Sequence, residues 1–551
     1  MDKIKIRVNG IEKECRIGDT AATVVGNNAT LPYEENPTVG VLVNGVLSGL
    51  DKRIKGPCDI DEVRLFSTFG KRIYRKTICL LLSYASTLLY PDRVLVIGHS
   101  LGDGYYFHYR DDEPFDAGAL DRKMREIAAS ASPIEYATLN HEDAVEDAKK
   151  RHRVETLALL ESMNDNEYKF VKIGDYYQLF NEPVLTDTHL CTLFEVREYN
   201  GGILLRYPQG RSITSIRPFE DNPQVFSIFK ESRRNAENLG LQSLGELNRR
   251  QLDGSLENTI LLLEAQQRRK IVKISEMIAA RPDVKIVFIA GPSSSGKTTF
   301  SMKLSDELRV MGKKAIKISI DDYYLPREET PKDENGEYDF EVLEALNLDL
   351  FREQMKDLTE GRGVHLPSFS FIEQKRYFSK ETYKMDDDTI LVIEGIHGLN
   401  PKLLPDVDSK LIFRIYISAL TQLNLDSETR ISTTDNRILR RMIRDSRTRN
   451  TSASETLSRW PSVERGEKNH IFPYQNNADV MINSALDYEL GVRAPQAIPL
   501  LKSVKKDEKD SYPMARRLLS FLDFVYPIDP MLVPSDSLVR EFIGGSIYGA
   551  V

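Results

Sequence analysis

GPSSSGKT, residues 291–298, follows the apolar run KIVFIA (285–290) and leads into TTFSMKLSDELRV (298–310), which carries a helical pattern. A strand, a glycine-bounded loop and a helix in immediate succession form the context that a phosphate-binding loop requires. The chemistry accounts for each residue type. Gly291 and Gly296 permit tight backbone geometry, so the N–H groups of Ser293, Ser294 and Ser295 can face phosphate oxygens. The helix start at Thr298 and Thr299 adds the positive end of its dipole. Lys297 supplies a point charge to the β/γ-phosphates, and the Thr298 hydroxyl can ligate Mg²⁺. This stretch is expected to bind a nucleoside triphosphate.

Outward from the loop, apolar strands alternate with helical stretches: KAIKISI (314–320), TILVIEG (389–395) and KLIFRIYI (410–417). That alternation predicts an α/β domain with a parallel, doubly wound sheet over about 284–504. Ligands in such sheets gather beyond the carboxyl ends of the strands. Glu394 ends one strand and is a candidate to address Mg²⁺, directly or through water. Asp321-Asp322-Tyr323-Tyr324 ends another, two carboxylates and two aromatics suited to a base beside a ring-bearing acceptor. In RILRRMIRDSRTR (437–449), Arg437, Arg440, Arg441 and Arg444 follow helical spacing, and Arg447 and Arg449 continue the series. Guanidinium forks suit a lid that closes over phosphates.

The chain has 551 residues, enough for three or four domains, and 41% hydrophobic with 29% charged residues excludes a wholly disordered protein. Acidic residues outnumber basic ones, 83 to 75, so no global nucleic-acid footprint exists. Four scattered cysteines form no CxxC pair, which argues against a disulfide framework or a cysteine zinc site. No stretch is apolar and long enough for a membrane span, and MDKIKIRVNG lacks the apolar core of a secretory signal. A cytoplasmic protein without membrane contact is expected. Residues 1–67 alternate as strands, with Asn9-Gly10 and Asn44-Gly45 as hairpin turns. Residues 68–223 read as an α+β domain, 224–283 as a helical connector and 505–551 as a helical tail.

GPSSSGKT, IDDYY, YDFEVLEAL, VHLPSFSF, LVIEG and RRMIRD, in this order, resemble the uridine kinase and phosphoribulokinase family over most of residues 284–485. The resemblance implies Asp321 as base toward a ribose 5′-hydroxyl and Tyr324 as an aromatic substrate-site residue. Glu341 matches a carboxylate that holds ribose hydroxyls, although the family usually has Asp there. It further implies Arg441 at the substrate, Arg444 at the transferring phosphoryl group, and Arg447 and Arg449 at ATP. Phe340, Phe369, Phe371 and Gln374 fall in the expected acceptor region. Phe369 stands where uridine–cytidine kinases have a tyrosine, and no histidine follows to read the pyrimidine edge. A phenyl ring stacks but does not hydrogen-bond, so altered base selectivity is expected.

Residues 1–67 resemble a TGS domain, a β-grasp module. YPDRVLVIGHSLGDGYYFHY (90–109) and KIGDYYQLF (172–180) are similar to the second additional domain of threonyl-tRNA synthetase. In that comparison Lys76, Leu80, Phe180 and Val184 fall at its four metal-ligand positions. Apolar side chains offer no lone pair, so neither zinc nor editing is expected. His99, His108 and Asp103 match no recognised zinc spacing and are expected to be structural.

The primary expectation is an Mg²⁺-dependent kinase moving the ATP γ-phosphoryl group to a nucleoside 5′-hydroxyl. A same-family kinase for another small alcohol is one alternative. A tRNA- or ribosome-associated nucleotide-dependent module, contacting RNA or protein through the front domains, is the other.

Overall fold

The computed structural model describes residues 3–26, 36–208, 214–333, 336, 338–370, 373 and 375–549. Phe371 and Gln374 lie outside these residues. No helix among the described residues is long and apolar enough to cross a membrane.

The front of the chain opens with a mixed five-stranded sheet. Lys3–Val8 pairs antiparallel with Ile11–Arg16 and parallel with Asp59–Arg64, which pairs in turn with Thr38–Val43. Both expected hairpin turns form, because Asn9, Gly10, Asn44 and Gly45 all adopt positive φ. Helix Thr68–Leu89 follows, capped by Ser67 and buried through its middle turns. Around it lie two antiparallel sheets, one of four strands and one of three. They share a core with the helix that includes Ile78, Leu81, Phe107, Val171 and Ile203. Outside this core, the His99 ring lies flat on Phe229 of helix Pro223–Leu239, with centroids 3.6 Å apart. Burial lowers His99 and pushes His108 down to about 3.

The second half is built on five parallel strands in the order Lys314–Ser319, Thr389–Glu394, Ile286–Ala290, Ile412–Ser418, Val480–Asn483. Successive side chains of a strand face opposite ways, and the cores divide accordingly. Val287, Ile289, Val392 and Ile415 meet Phe300, Leu304 and Leu308 of helix Lys297–Val310, together with Ile271 and Ile274. Ile286, Phe288, Leu391 and Ile393 meet Phe351, Met355 and Leu358 of helix Leu348–Thr359. The result is a parallel sheet covered by helices on both faces, as the alternation of strands and helices predicts. Four of its strands are visible as apolar runs. The fifth, Val480–Asn483, is four residues long and has no comparable signature.

The largest core joins the halves. Leu160 and Phe170 from the front, Leu247 and Ile260 from the connecting helices, Leu439 and Trp460 from the parallel-sheet half, and Leu518 and Val539 near the end all belong to it. Gly245 shows how closely these parts approach, since a Cβ there would stand 2.2 Å from the Leu159 nitrogen. Residues 505–551 contain helix Tyr512–Leu522 and the short helix Arg540–Ile543. Both pack inward.

Candidate active site

The P-loop leaves the central strand beside the neighbouring strand's backbone. A Cβ on Gly291 would lie 1.9 Å from the Ile417 carbonyl oxygen, so only glycine fits this exit. Gly296 caps the following helix at φ 86°, and Ser294 is left-handed at φ 59°. The carbonyl side of the loop is held from behind. Arg437 donates to the Ser293 oxygen at 2.9 Å, Arg440 to the Ser294 oxygen at 3.2 Å and Ser484 to the Ser295 oxygen at 2.5 Å. The hydroxyls of Ser294, Ser295 and Thr299 are buried without a hydrogen-bond partner. Lys297 reaches back to the Gly291 and Pro292 carbonyls at 3.0 and 3.1 Å.

Helical spacing alone groups Arg437 and Arg440 with the lid arginines, and the structure separates them. Both are buried, Arg437 paired with Glu467 and Arg440 with Glu489 at 2.7 Å. They brace the loop. The arginines on the other face of helix Thr433–Thr448 turn toward the site. Arg441 donates to the Ser293 hydroxyl at 3.1 Å, while Arg441, Arg444 and Arg449 converge on Asp445. Burial acts to raise the Asp445 carboxyl, but these three guanidiniums hold it below its ordinary range. Arg447 lies apart from that cluster and donates to the Phe542 carbonyl at 2.7 Å.

Opposite the loop, Glu394 ends its strand inside the site. It accepts from the Thr298 hydroxyl at 3.3 Å and the Ser319 hydroxyl at 3.2 Å. Burial, reinforced by Asp321, pushes its carboxyl up to about 7. Two hydroxyls and a carboxylate form a hard-oxygen donor set, which fits Mg²⁺.

Asp321 sits at the end of strand Lys314–Ser319, in the short helix Ile320–Tyr323. Its charge acts on Glu394, Asp322, Tyr324 and Glu341, which marks it as the group they surround. Burial raises Asp322 to about 6, and its carboxylate accepts the Phe369 N–H at 2.9 Å. Burial likewise raises Glu341 to about 7 against the pull of Arg441. The rings of Phe340 and Phe369 approach Tyr324 edge-on, at 6.2 and 6.4 Å between centroids. The Tyr324 hydroxyl donates to the Phe340 carbonyl at 3.0 Å. An acid group, an aromatic wall and a second carboxylate thus face the phosphate loop.

Two carboxylates at the loop are not evident from sequence. Glu467, in the π-helical turn Glu467–Ile471, accepts the Ser293 N–H at 3.2 Å. Glu541, near the chain's end, accepts the Thr299 N–H at 3.1 Å. No motif announces either, because they reach the loop by tertiary packing from distant segments.

Residues 286–490 match the model of the phosphoribulokinase/uridine kinase family. The chain is similar to the uridine kinase of Staphylococcus haemolyticus (strain JCSC1435), 29% identical over 198 residues that cover 36% of this chain and 86% of that protein. It is also similar to the uridine kinase of Staphylococcus aureus (strain Newman), 30% identical over 198 residues with the same coverage of 36% and 86%. A solved structure described as a possible uridine kinase from Bacillus stearothermophilus aligns at 18% identity with a TM-score of 0.28, covering 40% of this chain and 100% of that one.

Proposed function

Because the chain belongs to the phosphoribulokinase/uridine kinase family, we propose that it transfers the γ-phosphoryl group of ATP to the 5′-hydroxyl of a nucleoside. The observation that carries this reading is Asp321, the acid at the centre of the acceptor side, facing the P-loop across Glu394. In the proposed reaction Asp321 accepts the proton of the attacking hydroxyl, and the hydroxyl oxygen forms the new P–O bond as the bond to ADP breaks. Tyr324, Phe340 and Phe369 hold a ring, and Glu341 accepts from sugar hydroxyls. Lys297, Arg441, Arg444 and Arg449 offset the charge developing on the phosphoryl oxygens. Mg²⁺, held by Thr298 and Glu394, would add positive charge at the β/γ-phosphates.

The base is left open by this pocket. Phe369 has no hydroxyl, and Glu341 reaches one methylene further than the family's usual Asp, which favours selectivity different from that of uridine kinases. A screen of nucleosides and small alcohols with ATP tests the reading. Turnover on a nucleoside with 5′-phosphate product is expected, and no turnover on any nucleoside would overturn it. Asp321→Asn should keep ATP binding and lose transfer by about a hundredfold or more. Near-normal turnover would remove Asp321 as the base.

We propose that residues 1–67 form a TGS-like β-grasp domain and 68–223 a domain like the second additional domain of threonyl-tRNA synthetase, followed by a helical connector at 224–283, the kinase domain at 284–504 and a helical tail at 505–551. The strand order of the first sheet, with its two outer hairpins around a parallel central pair, supports a β-grasp module.

A further inference from the structure

A cavity of about 70 Å³ lies on the seam between the front half and the kinase. Helix Thr68–Leu89 contributes Arg72, Arg75 and Lys76 to its wall, and the loop before the arginine-bearing helix Thr433–Thr448 contributes Glu428, Thr429 and Arg430. None of these residues belongs to the site already described. By volume the cavity holds roughly five water positions, which is the size of a phosphate group.

Its charges fall into two groups. The first is neutralised within the protein. Arg517 makes a two-pronged pair with Asp435 at 2.7 and 2.8 Å, and Arg72 pairs with Glu182. Glu428 faces Arg153 at 3.3 Å and accepts from the Tyr176 hydroxyl. The second group is Arg75, Lys76 and Arg430, none of which forms an ion pair among the described residues. Lys76 donates to the Thr429 hydroxyl at 3.1 Å. The Arg75 and Arg430 guanidiniums lie 5.3 and 5.1 Å from the centroid of the same Tyr105 ring. The ring steadies both cations, and their N–H edges stay open. Nη2 of Arg430 and Oδ1 of Asn181, also on the wall, are buried with no hydrogen-bond partner.

Glu182, Asp435 and Glu428 on the same wall act on Arg75 and Lys76 from beyond ion-pair distance, but each is already engaged by Arg72, Arg517 or Arg153, so cations outnumber acids around the cavity. Paired guanidinium forks beside an ammonium match the oxygens of a phosphate, each able to give two parallel N–H bonds. We propose that this cavity is a second anion site, separate from the P-loop, which takes a phosphate group, free or as a monoester, between Arg75 and Arg430 with Lys76.

The test is calorimetric titration of the full chain at fixed ionic strength. Inorganic phosphate is used in one arm and ribose 5-phosphate in the other. It uses a Lys297→Met background, which weakens anion binding at the P-loop. One site is expected to remain there. Adding Arg430→Met or Arg75→Met should weaken it by about tenfold or more, the worth of one charge-assisted contact. Tighter binding of one probe identifies a free ion or an ester as the natural ligand class. Thermal melts of the same variants with and without inorganic phosphate provide a second measurement. Inorganic phosphate should raise the Tm of the Lys297→Met protein and raise it less once Arg430→Met or Arg75→Met is added, and an equal phosphate-dependent shift in all of them would overturn the proposal. Absence of a site in the Lys297→Met protein, or equal binding after both arginine changes, would overturn the proposal. Neither outcome bears on the kinase reading, since no turnover is measured.

Discussion

Glu394 illustrates how one side chain can be legible as a residue and hidden as an environment. TILVIEG places a carboxylate at a strand end, and the structure puts it beside Thr298. What the sequence lacks is the burial that raises its carboxyl to about 7. The sign of the consequence follows from linkage. A carboxyl with a raised folded pKa binds its proton more tightly in the native state, so this contribution is present at low pH. It is lost as pH rises from the unfolded value of 4.5 through about 7. Glu394→Gln should therefore stabilise the ligand-free protein at pH 8, by up to about 3 kcal/mol, and leave its stability nearly unchanged below the unfolded value, at about pH 4. Melts at the two pH values check this, and an equal shift at both would contradict it. Glu341, also raised to about 7, adds a functional counterpart. If it accepts from acceptor hydroxyls as a carboxylate, kcat/KM for the acceptor should fall as pH drops below about 7. A pH profile that is flat between pH 6 and 8 would count against that role.

At the scale of elements, the strand–loop–helix unit was readable because its signals are local: an apolar run, two glycines and a helix start. The arginine-bearing helix was only half readable. Periodicity identifies the face on which Arg437 and Arg440 fall, but their burial depends on Glu467 and Glu489 from remote segments. Breaking such a pair leaves a charge buried alone, so Arg437→Met should destabilise the protein by about 3 to 5 kcal/mol. Urea melts measure this, and a loss below 1 kcal/mol, within the ordinary range for a surface change, would show that Glu467 does not need its partner. The segment near the chain's end reaches the opposite side of the loop. Glu541 occupies the Thr299 N–H, and Phe542 packs 4.7 Å from the Arg440 guanidinium. A carboxylate on a donor that a nucleotide phosphate also needs must compete with it. Glu541→Gln should tighten ATP binding by about tenfold through lost repulsion. Titration calorimetry with ATP reads this directly, and unchanged or weaker binding would show that Glu541 and the triphosphate do not compete.

For the whole molecule, sequence composition separates front half from kinase at a run of helices, but the largest core crosses that line. Leu160 and Phe170 share it with Leu439, Trp460 and Leu518. Long-range packing of this kind leaves no periodic trace, since each helix shows an apolar face without saying which partner covers it. Residues 284–504 expressed alone would expose that face and should be recovered as aggregate rather than as a cooperatively folding monomer. Size-exclusion chromatography and a thermal melt decide the matter. The same lacing has a bearing on how the protein would respond to a protease. The link at 505–510 is charged and includes Lys505, Lys506 and Lys509, a ready target for trypsin. Beyond it, Leu518, Leu522 and Val539 are interior to the shared core, Asp536 is bound to Lys303 at 2.7 Å, and Glu541 touches the P-loop helix. A chain cut only there would run as two bands under denaturing conditions yet migrate as one particle in its native state, with the severed piece still seated against the nucleotide site.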